Sequence, residues 1–298
     1  MPRVIACEEE GVIGLDQCVD ALARDGFDPR VEESLMLAAL HLRQLGNDRR
    51  FLGDLIAREL ADRESVPDAQ SYGPQSIMLS PARSGAFLRA NIWPSETDQP
   101  LVASGRAAFQ YDLPHDHNFN FLTLGYFGPG YRSDYWEYDY EAAIGYREQR
   151  VPLVPKGRQQ LTPGKLMLYR AHVDIHRQLP PESMSVSLNV MHVDGACGWL
   201  DQYAFDVEQG TISDRLGAGS SEAFIRIAVS LQSEAACDLA ERFGRTHPSD
   251  RMRYACWEAR AAVAQNETAR DALWREAEGA GSLLVAKEAA RRRRELAG

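Results

Sequence analysis

Cysteine is scarce and scattered in this chain. Its five thiols (Cys7, Cys18, Cys197, Cys237 and Cys256) are odd in number, form no CxxC pair and outline no disulfide framework. That excludes the stapled secreted class and points to a reducing compartment, the cytoplasm. Long apolar runs are missing too. No segment approaches the ~20 consecutive apolar residues that span a bilayer, and MPRVIACEEEG places three glutamates where a signal peptide has its apolar centre. No membrane partner is expected. Basic charge is in deficit: 33 Lys and Arg against 43 Asp and Glu leave a net charge of −10. Nucleic acids are gripped through clustered Lys and Arg, so none is expected as a partner. The one basic run, Arg291 to Arg294, reads as the solvated end of a helix, where cations complement the dipole. GxSxG, GxxxxGKS/T and GxGxxG are absent as well. GYFGPG has the glycines of a phosphate loop without the pattern or the following helix.

What is present suits a globular chain, with 298 residues, 44 % hydrophobic and 26 % charged. Residues 14–63 read as helices. Asp28-Pro29 is a start signal, Val31, Leu35, Leu37, Ala38, Leu42 and Leu45 recur at helical spacing, and Gly46 is a C-cap candidate. Asn47-Asp48 opens a second run through Phe51, Leu52, Leu55, Ile56 and Leu60. His41 falls inside the first helix and reads as a packed or surface residue. Residues 64–75 are a turn-rich linker. From Ser76 the character changes to short segments rich in β-branched and aromatic residues: SIMLS, AFLRANIW, LVASGRAAFQYDL, FNFLTLGYF, YWEYDY, REQRVPLV, KLMLYR and SMSVSLNVMHV. Their close spacing predicts an antiparallel sandwich or barrel. From Ser221 the helical pattern returns, and HPSDRMRYACWEARAAV has the look of a HEAT-type repeat. The expectation is an α+β chain in three regions: N-terminal helices over 1–70, an antiparallel β-barrel over 71–210, and a helical region over 211–298. The last is expected to pack on the barrel or to mediate dimerisation.

The chemistry-bearing stretch is YDLPHDHNFNFLTLGYFGPGYR, which opens at Tyr111. On a strand, side chains two apart share a face, so His115 and His117 would aim into one cavity as two metal-ligating imidazoles. A third ligand is expected from YRAHVDIHRQL, where His176 is preferred and His172, four residues earlier, is the alternative or a group behind the ligands. Imidazole suits iron, zinc, nickel and copper alike, so the histidines do not select the metal. His192 reads as a pocket or surface residue. The run Tyr131, Tyr135, Trp136, Tyr138 and Tyr140 reads as a strand with one face on the core.

His-Asp-His before an apolar strand and a glycine turn, followed by PGKLMLYRAHVDIHRQLP, resembles the two motifs of the cupin superfamily, whose fold is a jelly-roll barrel. Within it, HDH, Ile175-His176-Arg177 and SVSLNVM resemble the cysteine-dioxygenase-type thiol dioxygenases, mononuclear non-haem Fe(II) enzymes with three histidine ligands. The resemblance covers residues 76–200. The usual cupin glutamate is absent, with Phe121 and Leu122 in its place. The family's crosslinking cysteine falls at Leu122, and its tyrosine near Met191 or His192. The arginine that grips the substrate carboxylate matches Arg83, with Arg89 as alternate, and Asn189 of SVSLNVM is a further substrate-binding candidate.

The resemblance implies an Fe(II) oxygenase that uses O₂ on a small thiol, amino-acid-like or peptide-borne substrate, with zinc, manganese or nickel as other occupants. Phe119, Phe121, Leu124, Leu168, Val186 and Leu188 are expected to line the barrel. A metal- or ligand-binding module without turnover is the alternative. A Lewis-acid isomerase or hydrolase is a third.

Overall fold

The alternation of AFLRANIW decides which way the main sheet faces. In the computed structural model, which describes residues 1–62, 75–217 and 219–297, this octet is strand β3 (Ala86–Trp93), the fifth member of a six-stranded sheet. The sheet order is β1 (Arg3–Ile5), β7 (Leu166–Tyr169), β4 (Phe121–Phe127), β9 (Ser185–His192), β3 and β2 (Ser76–Met78), with antiparallel pairing throughout. Successive side chains point to opposite faces. One face presents Leu88, Ala90, Leu122, Leu124, Leu166, Leu168, Leu188 and Val190. They pack against Cys18 and Leu22 of α1 (Leu15–Asp25) and Leu35, Ala38, Leu42 and Leu45 of α2 (Glu32–Asn47). Phe51 and Leu52 of α3 (Phe51–Asp62) extend this core. Gly46 does not end its helix. A β-carbon there would run into Leu124 of β4, so the glycine permits the close approach of helix to sheet. Val31 and Leu37, expected in the core, stay half-exposed.

The other face carries Phe87, Arg89, Asn91 and Trp93 of β3, Ser187, Asn189 and Met191 of β9, Phe121 and Thr123 of β4, and Met167 and Tyr169 of β7, as the register shows. It shares a core with a second sheet of order β6 (Val154–Gln160), β5 (Arg132–Glu137) and β8 (Asp174–Leu179). Tyr135 of β5 and Tyr169 of β7 meet hydroxyl to hydroxyl at 2.7 Å across this core.

Helix and antiparallel sheet are therefore combined as expected, but the sheets are open and separate, with no closed barrel among the described residues. Closure needs a continuous ladder. The segment that would supply it touches β8 only through isolated bridges at Tyr111 and His115. Positive φ at Gln110 and Asp112 and the ring of Pro114 prevent a regular strand there. The expected strand LVASGRAAFQYDL is instead a short helix, α4 (Gln99–Ser104), and a 3₁₀ turn (Arg106–Phe109), started by Asp98-Gln99-Pro100 and stopped by Gly105 at φ 78°. Barring Gln75, the expected linker 64–75 lies outside the described residues.

The chain divides into two compact units, Met1–Asp139 with Pro152–Cys197 and Tyr140–Val151 with Gly198–Gly298. The N-terminal helices bury their apolar stripe on the main sheet, within the first unit. The second unit contains a hairpin, β10 (Gln202–Asp206) and β11 (Thr211–Leu216), that strand patterning did not single out. Helices α5 (Ser220–Ser230), α6 (Glu234–Thr246), α7 (Asp250–Ala262), α8 (Glu267–Glu278) and α9 (Leu283–Ala297) follow. Ser233, Ser249 and Asn266 cap three of them through side-chain oxygens. Trp257 is fully buried and donates to the Gly244 carbonyl at 2.9 Å. The basic run is not simply solvated: Arg291 pairs with the buried Glu288, Arg292 with Glu258, and Arg293 with Asp271. No described helix is long and apolar enough to cross a membrane.

Candidate metal centre

Strand β8 places His176 and Gln178 on one face, and Tyr135 of β5 lies opposite His176. Along the other edge of β8 runs the irregular segment 111–119, bridged to it at Tyr111 and His115. The backbone N–H of His115 donates to the His176 carbonyl at 3.1 Å, that of His176 returns the bond at 2.9 Å, and Asp112 N–H donates to the Gln178 carbonyl at 3.0 Å. His115 and His117 thus precede β4 rather than lying on a strand. The two rings nonetheless lie close together. Asp116 between them is fully buried and accepts a hydrogen bond from the Tyr138 hydroxyl at 2.6 Å.

The three rings converge, with centroids 4.9 Å (His115–His117), 4.5 Å (His115–His176) and 4.9 Å (His117–His176) apart. Their ligand nitrogens all lie within 4.8 Å of one another, and His115 and His176 are each only 1 % exposed. His115 Nδ1 donates to the Leu113 carbonyl at 2.8 Å, which leaves Nε2 without a proton, and that atom has no partner in the protein. His117 Nε2 and His176 Nε2 are 2.9 Å apart. An ion with bonds of about 2.0–2.1 Å to each would hold them at this separation. An orphaned buried nitrogen, two facing nitrogens and an all-imidazole donor set fit a transition metal, and the group could hold one. Among the described residues no carboxylate belongs to it.

Burial pushes the pKa of all three rings below the ordinary value of 6.5, and each is lowered further by, or lowers, its neighbours. They are neutral at pH 7, as ligands must be. The unfolded chain protonates its histidines near 6.5 while these resist. The unfolded state therefore binds more protons as pH falls, and stability drops from about pH 6.5 downward. His172, pushed down to about 4 by burial, adds a contribution on the order of 3 kcal/mol, lost between these two values. Urea unfolding of the metal-free protein at pH 7.5, 6 and 5 is expected to show a falling midpoint. A flat profile contradicts the assignment of these rings as buried and neutral.

His172 does not share a strand with His176. It sits in the turn before β8 at φ 60°, its N–H donates to the His117 carbonyl at 2.8 Å, and its Nδ1 lies 3.9 Å from Asp116 Oδ2. It is outside the three-histidine group. Arg83 is exposed in the turn between β2 and β3, away from the inner face. Arg89 is on that face, in register with Asn189, which in turn faces Thr123. Arg89 Nε, Asn189 Nδ2 and Thr123 Oγ1 are buried without a partner. Burial pushes the Arg89 guanidinium down to about 10 and the nearby Tyr131 phenol up to about 12, and the Arg89 charge helps lower His117.

Of the expected lining, Phe119 and Phe121 lie against His117, the first tilted and the second edge-on, with centroids at 4.7 and 5.1 Å. Leu124, Leu168 and Leu188 belong to the helix-side core, and Val186 packs with them. Leu122, where the family's cysteine would fall, also faces the helices, and His192 lies edge-on to Phe27 at 6.0 Å. Sequence patterning missed Gln178, Thr123 and Tyr169. For Gln178 the signal was available, two residues beyond His176 on the same strand.

No family model matches the chain, and no curated protein does. Among solved structures, a proposed mannose-6-phosphate isomerase from Ralstonia eutropha JMP134 is 12 % identical, over 43 % of this chain and 94 % of that one, with a TM-score of 0.20. A cupin-like protein from Thermotoga maritima MSB8 is 11 % identical, over 48 % and 93 %, with a TM-score of 0.19. Superpositions this poor carry no weight for fold or function.

Proposed function

We propose that the first unit is a metal-binding cupin acting as a mononuclear non-haem Fe(II) oxygenase, with His115, His117 and His176 as ligands and O₂ and a small anionic or peptide-borne molecule as substrates. The observation that carries this is the convergence of three buried neutral imidazoles with no carboxylate among them. A ferrous ion bound there would supply redox chemistry with O₂ and, through its undiminished charge, affinity for an anionic donor. Arg89, Asn189 and Thr123 offer unpaired N–H and O–H groups in a row across three strands, a donor set suited to a carboxylate. Phe119, Phe121 and Tyr169 cover the rings and exclude water. Zinc, manganese and nickel remain alternative occupants, and the helical unit is a candidate surface for a second copy of the chain.

Metal analysis of purified protein beside an oxygen-electrode screen tests this. Iron retention and O₂ uptake with 3-mercaptopropionate or cysteine, but not with the carboxylate-free cysteamine, is the expected pattern. Arg89→Met is expected to erase that preference, a loss of about 10–100-fold in kcat/KM for the acids, with metal content unchanged. Equal turnover of all three thiols by the wild type refutes the carboxylate row. The near-complete burial of the rings favours a second reading, a metal-binding module without turnover. Bound metal with no O₂ uptake across the screen would decide for it.

A further inference from the structure

We infer that Gln178 and Ser133 form the second half of the substrate subsite, an acceptor pair for the ammonium group of a free amino acid whose carboxylate lies on Arg89, Asn189 and Thr123. This rests on the oxygenase reading above and narrows its substrate from an anionic molecule to a zwitterionic one. Register sets the two halves at one level. On the main sheet the row Arg89, Asn189, Thr123 falls between the row that ends at Tyr169 and the position of Trp93. On the second sheet Ser133 and its cross-strand neighbour Gln178 fall between Tyr135 and Tyr131, since side chains two apart share a face. Both flanks are tied across the core. The Tyr135 and Tyr169 hydroxyls meet at 2.7 Å, and the Tyr131 and Trp93 rings lie with centroids 4.1 Å apart. The two polar rows are thus held opposite each other between these ties.

What the rows lack is complementary. Arg89 Nε and Asn189 Nδ2 are buried donors without an acceptor, whereas Gln178 Oε1 is a buried acceptor without a donor, and Ser133 Oγ has no partner either. The Tyr135 hydroxyl, the phenol nearest Ser133, is already bonded to Tyr169. His176 orients the glutamine amide. Its nitrogen lies 2.7 Å from Nδ1 and 3.4 Å from Nε2, over the ring face, where an N–H is favourable and a carbonyl oxygen is not. Oε1 is therefore the end left for a ligand. Each unmet buried polar atom costs free energy that a bound partner recovers. An anion alone completes only the first row, while a carboxylate and an ammonium on one carbon complete both. Gln178 is 4 % exposed and Ser133 fully buried, an enclosure that suits a free amino acid and not a peptide.

Calorimetric titration of the zinc-loaded full-length protein, which turns nothing over, with cysteine and with 3-mercaptopropionate, which lacks the amine, provides the test. The wild type is expected to bind cysteine about tenfold or more tightly than 3-mercaptopropionate. Gln178→Leu and Ser133→Ala are each expected to weaken cysteine binding about tenfold and to leave 3-mercaptopropionate within about twofold of wild type. Chelation of zinc by the amine would give the same wild-type preference, but that preference would survive both substitutions. A preference retained in both variants therefore overturns the inference. Equal binding of the two thiols by the wild type overturns it too, because water then completes these atoms. Zinc content and thermal unfolding establish that each variant is folded with its metal site intact, and should Gln178→Leu fail either check, Ser133→Ala alone decides. The oxygenase reading fails separately. A wild type that takes up no zinc removes the three-histidine site and this inference together, whereas iron without O₂ uptake, beside a cysteine preference lost in the variants, removes turnover and leaves the subsite standing.

Discussion

Protein carrying His176→Ala is expected to bind no metal at stoichiometric concentration and to consume no O₂, and His117→Ala is expected to behave alike. Loss of one ligand from three should exceed the ~10–100-fold cost of disturbing a group behind the ligands, because no other described His, Cys, Asp or Glu belongs to the cluster and could substitute. The change also strands its neighbours. His117 Nε2 loses the nitrogen 2.9 Å away, and the Gln178 amide loses the ring at 2.7 Å. His172→Ala is the informative control. Its ring lies near Asp116, outside the group, so metal content should stay at the wild-type level. Metal analysis and zinc competition on the three variants check this. Full occupancy in His176→Ala would remove the site.

Gly130→Ala is expected to lower stability by more than about 3 kcal/mol, seen as a large drop in the urea midpoint. Gly130 closes the turn from β4 to β5 at φ 81°, where an L-residue costs roughly 1–2 kcal/mol. Steric conflict costs more. A β-carbon would collide with the Leu161 carbonyl and approach Thr162 N, both of them backbone. Neither can yield without disturbing Leu161 N–H to Tyr131 O at 3.0 Å and Gly130 N–H to Ser185 Oγ at 3.0 Å. Gly157 separates backbone strain from collision. Its φ is 86°, yet nothing lies within 4 Å of the added carbon, so Gly157→Ala should cost only the backbone share, about 1–2 kcal/mol. Equal effects at both positions would show that backbone conformation alone matters.

How much of this is legible in the sequence depends on the range of the interaction. The β3 octet reads correctly because its turns and its alternation are local. The segment Leu101–Leu113 reads as strand on its apolar content, but Asp98, Pro100 and Gly105 start and stop a helical turn there. Arg83 and Arg89 cannot be told apart by type. Six residues apart around one strand entry, the first is exposed in the turn and the second faces the interior. The lining residues fail similarly. Leu124, Leu168 and Leu188 satisfy an apolar pattern on either side of a sheet, and only the arrival of α1 and α2 determines which side is theirs.

Local chemistry in the chain was enough to determine the helices towards either end, the strands β3, β4, β7 and β9 and the glycine turn after Gly125, and to single out His115 and His117 as a pair. The convergence of His176 on that pair was decided by long-range pairing: two hydrogen bonds join it to His115 across 61 positions. Tertiary structure likewise turned His172 aside, left the sheets open, and set Gln178 beside an imidazole nitrogen. Each of these depends on where a second segment packs, and a side chain's partner in a folded protein is chosen by packing, not by its neighbours in the chain.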